Sequence, residues 1–158
     1  MTQPQTSPVD DDQLVRTLTS ITYGFCGALL MVGVLGVVVL VPEPTVTPLG
    51  LLVGAALALV SWFAPTVAIR RQLANAARAG VAPRQAGTVV RTAVFIGAAL
   101  AEAPALLGLA VASVLAGGHD VAPFALSIPV AVASLWLNVS GPAAVRRHLG
   151  RFRSTIAY

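Results

Sequence analysis

Glu102 is the only ionisable residue in the stretch IGAALAEAPALLGLA (residues 96–110). An ionised carboxylate inside hydrocarbon costs roughly 3 kcal/mol or more, so an acid placed there must be protonated, paired or hydrated. Three kinds of chemistry meet that condition. A protonated Glu102 can act as hydrogen-bond glue between helices, a titrating one as a proton- or cation-binding site, and an edge-on one as a contact for a partner. With the middle of each apolar run placed at the bilayer centre, Glu102 falls within about one turn of that centre. The same count puts Cys26, Ser61 and Ser134 at nearly the same depth, slightly to the cytoplasmic side. No arginine or histidine shares this layer, so the expectation is a neutral Glu102 that donates a hydrogen bond to Ser134, Ser61 or a backbone carbonyl. Pro104 predicts a helix kink and frees the carbonyl of Leu100, four residues earlier. Ala98, Ala101, Ala105, Gly108 and Ala112 make the Glu102 side of this helix small enough for close packing.

The elements that position these groups follow from composition. Of 158 residues, 56% are hydrophobic and 10% charged, and the mean hydropathy is +0.83, which marks an integral membrane protein. Apolar runs at 17–41, 49–69, 92–116 and 121–140 each approximate the 20 residues that a helix needs to cross the bilayer. The expected fold is all-α: a four-helix membrane bundle made of two similar in-out-in helical hairpins. A first hairpin at 14–73 and a second at 91–149 are joined by a cytoplasmic loop at 74–90. They are flanked by a disordered cytoplasmic tail at 1–13 and a cytoplasmic tail at 150–158. Helix two is expected to run two turns past the membrane and stop near Gly80. The first run follows DDD at 10–12, is too long for a signal peptide and lacks a small-x-small cleavage site after it, so it is read as retained. YGFC at 23–26 lacks the small residue that should precede a lipidated cysteine.

Ten arginines and no lysine give a net charge of +4, and the arginines cluster at the ends of the runs. Arg70, Arg71, Arg78, Arg84 and Arg91 lie between runs two and three, and Arg146, Arg147, Arg151 and Arg153 follow run four. PEPTVTP (42–48) and GGHD (117–120) carry none. The positive-inside rule therefore puts both termini in the cytoplasm. The pattern reads as topogenic and headgroup-facing, with a docking surface for a partner as the alternative, and it argues against nucleic-acid binding. The bias toward alanine, valine, leucine, glycine and arginine points to a bacterial inner membrane.

RT at 16–17 precedes RRQL at 70–73, and RT at 91–92 precedes RRHL at 146–149. GALLMVGVL (27–35) lies opposite EAPALLGLA (102–110), and Pro65 and Pro142 fall shortly before or near the second arginine pair of each block. These coincidences indicate a parallel internal repeat with its pseudo-twofold axis along the membrane normal. Gly27 then occupies the position matching Glu102.

Other chemistry is sparse. His119 and Asp120 have only Glu43 nearby as a further metal ligand, so no metal site is expected. Cys26 is the sole cysteine. Trp62 and Trp136 lie near span centres and read as packing residues. The Asn138-Val-Ser sequon falls on the cytoplasmic side. There is no Ser/His/Asp set and no phosphate loop, so neither catalytic residues nor a cofactor is expected, and the chain reads as non-enzymatic.

Two resemblances accompany this reading. AALAEAPALLGLAVA (98–112), preceded by the turn PRQ (83–85), is similar to the carboxylate-bearing helix of c-type proteolipid subunits of rotary ATP synthases; that likeness implies a proton carrier at Glu102. DDQLVRTLTSI (11–21) and RTAVFIGAALAEA (91–103) resemble a group of small uncharacterised bacterial four-span membrane proteins, which implies the fold and no activity. The expected partners are the lipid bilayer and either a second copy, as a homo-oligomer, or another membrane protein. Small faces for such helix packing lie on span three and on span one, through Gly24, Gly27 or Ala28, and Gly33.

Overall fold

The computed structural model describes residues 8–40 and 43–156. It is helical throughout those residues apart from short connections: α1 (Pro8–Leu35), α2 (Pro48–Arg78), α3 (Ala86–Ala112), α4 (Ala122–Ser134) and α5 (Pro142–Ile156). Span one widens into a π-helical turn at Gly36–Leu40, and span four does the same at Leu135–Ser140. Four helices are long and apolar enough to cross a membrane, over Asp11–Val38, Pro48–Arg78, Ala86–Ala112 and Ala122–Ser140. The chain thus has the form of a small multi-pass membrane protein.

Side-chain sizes are sorted as a lipid solvent demands. Tyr23, Met31, Leu52, Phe63 and Leu107 are among the large apolar residues that point outward. The buried face of α3 is instead built from Gly97, Ala98, Ala101, Pro104, Ala105, Gly108 and Ala112. Lipid gives apolar side chains no reason to turn inward, so close approach of small residues supplies the packing. At Gly97 an added Cβ would lie 2.6 Å from Ile69 Cδ1, and at Gly108 it would lie 2.7 Å from Ser127 Oγ and 2.9 Å from the Pro123 carbonyl.

Local chemistry sets the ends of α2. Thr47 caps its N-terminus by accepting from Gly50 N at 3.0 Å, with Pro48 in the first turn, where a missing N–H costs nothing. At the other end Gly80 takes φ 69°, and Gly80 N and Val81 N donate to the carbonyls of Ala77 and Ala76. This paired closure requires a left-handed residue, which glycine adopts without strain. The helix thereby stops where the sequence led us to expect.

α2, α3 and α4 pack on one another and form the centre of the bundle. α1 packs on α3 and α4, and α5 lies across the ends of α1, α2 and α3. α1 is the least buried of the four spans. α3 and α4 lie along each other, whereas α1 and α2 do not form a packed pair. The two sequence halves are therefore packed differently.

Three expected boundaries change. Residues 8–13, expected in a disordered tail, are the first turns of α1, while 1–7 lie outside the described residues. The connection within 74–90 narrows to residues 79–85, since α2 runs on to Arg78 as expected and α3 already begins at Ala86. Residues 150–156 complete α5 instead of forming a tail; 157–158 are outside the described residues. For α5 the cause is packing: a polar sequence continues as a helix when one face docks, here through the buried Leu149 and Phe152.

The end of the bundle away from the arginines is held by Asp120. Its carboxylate accepts from the Thr47 hydroxyl and from Ala122 N at 3.1 Å, and Thr45 bridges to it in an isolated parallel pair. Gly50 and Gly54 let α2 approach this point: a Cβ at Gly50 would lie 2.0 Å from Asp120 Oδ2, and one at Gly54 would lie 2.6 Å from the Ala122 carbonyl.

Candidate functional site: a half-buried glutamate and an arginine-lined cleft

Glu102 occupies the border between two faces of α3. Ala101 and Ala105 beside it are buried, Ala103 and Leu106 are exposed, and Glu102 is half-buried. Its Oε1 is enclosed and has no hydrogen-bond partner. Cys26 of α1 lies within electrostatic reach of it. Ser61 and Ser134 are fully buried, and the Oγ of each is likewise unpartnered. The expected hydrogen bond from Glu102 to Ser61, Ser134 or a backbone carbonyl is therefore not made among the described residues. α3 passes through Pro104 as one continuous helix.

The small residues divide into two groups. Ala98, Ala105, Gly108 and Ala112 are buried as the packing face of α3, and Gly33 meets Ile128 of α4, with a Cβ contact at 3.1 Å. Gly27 is different, being exposed, and an added Cβ there would meet nothing within 4 Å. The packing expected of Gly27 is thus not made among the described residues. Gly24 is equally open. Together with Ser20 and Ala28, which are also exposed, it forms a small-residue row at i, i+4 and i+8 on the outer side of α1.

A second site lies at the arginine end. Thr66 and Arg70 from α2, Asn138 from the end of span four, and Arg147, His148 and Arg151 from α5 line a cleft of about 390 Å³. The π-helical end of span four leaves carbonyls free, and α5 covers two of them. Arg147 donates to the Leu137 carbonyl, and His148 Nε2 bonds the Asn138 carbonyl at 3.0 Å. A carbonyl can only accept, so Nε2 carries the proton. Burial pushes the His148 pKa down, the Arg147 and Arg151 charges add to the effect, and the backbone contacts oppose it. His148 is accordingly neutral at pH 7. The chain reverses at Gly141 so closely that a Cβ would lie 2.0 Å from the Trp136 carbonyl.

No family model, curated protein or solved structure matches the chain. Function must be argued from these residues.

Two groups of contacts are not visible in the apolar runs alone. The Asp120–Thr47–Gly50 contact had a visible signal in Gly50-x-x-x-Gly54, a spacing that brings membrane helices together. The cleft had one in the twin motifs RRQL and RRHL. In both, the leucine is buried, as Leu73 and Leu149, and one arginine, Arg70 or Arg147, lines the cleft.

Proposed function

We propose that the chain is a non-enzymatic membrane protein that works by association, either with its own copies or as an accessory subunit of a membrane complex. It would reside in a bacterial inner membrane with both termini cytoplasmic, and its two halves would descend from one in-out-in hairpin. The open small-residue row of Ser20, Gly24 and Ala28 on the outer side of α1 carries this reading. Small residues let helix backbones approach closely, so this row gives a second copy or a partner helix a surface to pack on.

The test uses the empty space around Gly24. A Cβ at Gly24 meets nothing within 4 Å among the described residues, so Gly24→Ile should leave thermal unfolding in detergent unchanged, while the oligomer or partner complex seen by native mass spectrometry should weaken at least fivefold. A wild-type chain that is monomeric and copurifies with nothing, or a Gly24→Ile variant that associates normally, rules the reading out.

A second reading is favoured by the three unpartnered groups, Glu102 Oε1, Ser61 Oγ and Ser134 Oγ, and by the resemblance of 98–112 to proteolipid helices. In it, Glu102 binds a proton or cation. Proton or sodium flux into vesicles that Glu102→Gln abolishes, together with labelling of Glu102 by dicyclohexylcarbodiimide, supports it. Absence of both removes it.

A further inference from the structure

We propose that the cleft formed by Thr66, Arg70, Asn138, Arg147, His148 and Arg151 is a binding site for a phosphate-bearing anion. The donor set is the first reason. Three guanidinium groups, a hydroxyl and a carboxamide line one concavity, and a planar guanidinium fork matches two phosphate oxygens at once. Among the described residues no carboxylate lines the cleft, and Arg70 and Arg151 have no ion pair. The acids at this end engage other arginines instead: Asp11 holds Arg153 through two bonds of 2.7 and 2.8 Å, and Asp12 lies 3.5 Å from Arg146.

Preorganisation is the second reason. Arg147 and His148 are tethered to the carbonyls of Leu137 and Asn138, so two walls are fixed before any ligand arrives. An arginine has five N–H donors, and the tether leaves most of those on Arg147 free. The third reason is position. Arg70 ends the apolar part of α2, and the cleft faces outward where α5 crosses the end of the bundle, at the level of lipid phosphates if the four spans cross a bilayer. The convergence of Arg70 from RRQL with Arg147 and His148 from RRHL gives the twin motifs a shared task.

Lipid headgroups and soluble phosphate present the same chemistry, and reconstitution separates them. The full chain is placed in phosphatidylcholine nanodiscs and titrated with inorganic phosphate; in a second arm, phosphatidylglycerol replaces part of the lipid. Bound lipid is counted by native mass spectrometry, and the unfolding midpoint is followed in both arms. Saturable binding is expected in at least one arm, with the phosphatidylglycerol arm identifying a lipid headgroup and the phosphate arm a soluble anion. Arg70→Gln/Arg151→Gln should weaken it tenfold or more, and Arg70→Gln alone at least threefold, with the ligand-free midpoint unchanged. Arg16→Gln/Arg84→Gln removes the same charge from exposed positions outside the cleft and should change affinity less than twofold. No saturable binding in either arm, or equal losses in the two double variants, overturns the proposal.

Discussion

Asp120 is fully buried and serves two helices, accepting from Ala122 N at the start of α4 and from Thr47, the cap of α2. Both helix N-termini present partial positive charge, so an anion between them is stabilised twice. Asp120→Ala should destabilise the fold by about 2–3 kcal/mol, measured as unfolding in detergent, because two donors lose their acceptor. Gly50→Ala should cost about 1–3 kcal/mol through overpacking against the same carboxylate. The two changes share one contact, so the double variant should lose less than the sum. Strict additivity would show that the contact is not the source of either effect. From sequence, His119-Asp120 was legible only as half of an implausible metal site, since nothing local reveals which distant N–H groups a carboxylate will meet. Glu102 was legible as a lone acid on an apolar helix; its missing partner was not, because hydrogen bonding depends on helix rotation that hydropathy does not encode.

The four spans were readable at the element scale because apolar length alone decides what can cross a bilayer. α5 was not, as four arginines in fifteen residues hide its apolar face from any window average. Helical spacing would have exposed it: Val145, Leu149 and Phe152 recur at i, i+4 and i+7 and are all buried. Phe152→Ala should cost about 3–5 kcal/mol and make α5 exchange its amide hydrogens faster than α2 or α3. Uniform exchange across the bundle would contradict its role as a separately docked element. The same element should confer a pH response. The His148 pKa is lowered in the folded chain by burial, whereas the unfolded chain protonates near the ordinary value of about 6.5. Above that value both states are neutral. Below it the unfolded state binds the proton first, so stability falls as pH drops toward the folded value. In neutral lipid and phosphate-free buffer, the wild type should lose more stability between pH 7.5 and 5 than His148→Gln does. Equal slopes would remove His148 as the cause.

At the scale of the whole molecule, one end of the bundle collects all ten arginines and the other is closed by Asp120. α5 packs on α1, α2 and α3 at that end, and the Asp11–Arg153 pair ties the start of α1 to α5. That half-buried pair adds about 1 kcal/mol, a small term, so the clustering of arginines bears more on insertion than on stability. Arginine within about 15–20 residues of a span is retained on the cytoplasmic side. α2, at 31 residues, extends about 46 Å and overreaches a ~30 Å core, which carries Arg78 well clear of it. A reporter fused at Ala79 should therefore be active only in the cytoplasm. Replacing Arg70, Arg71, Arg78, Arg84 and Arg91 together with glutamine should yield a mixed or inverted population. Arg16 and the four arginines of α5 remain in that variant, so full retention of orientation would mean that these flanking arginines direct insertion, and an outward signal from the unmodified chain would reverse the topology altogether.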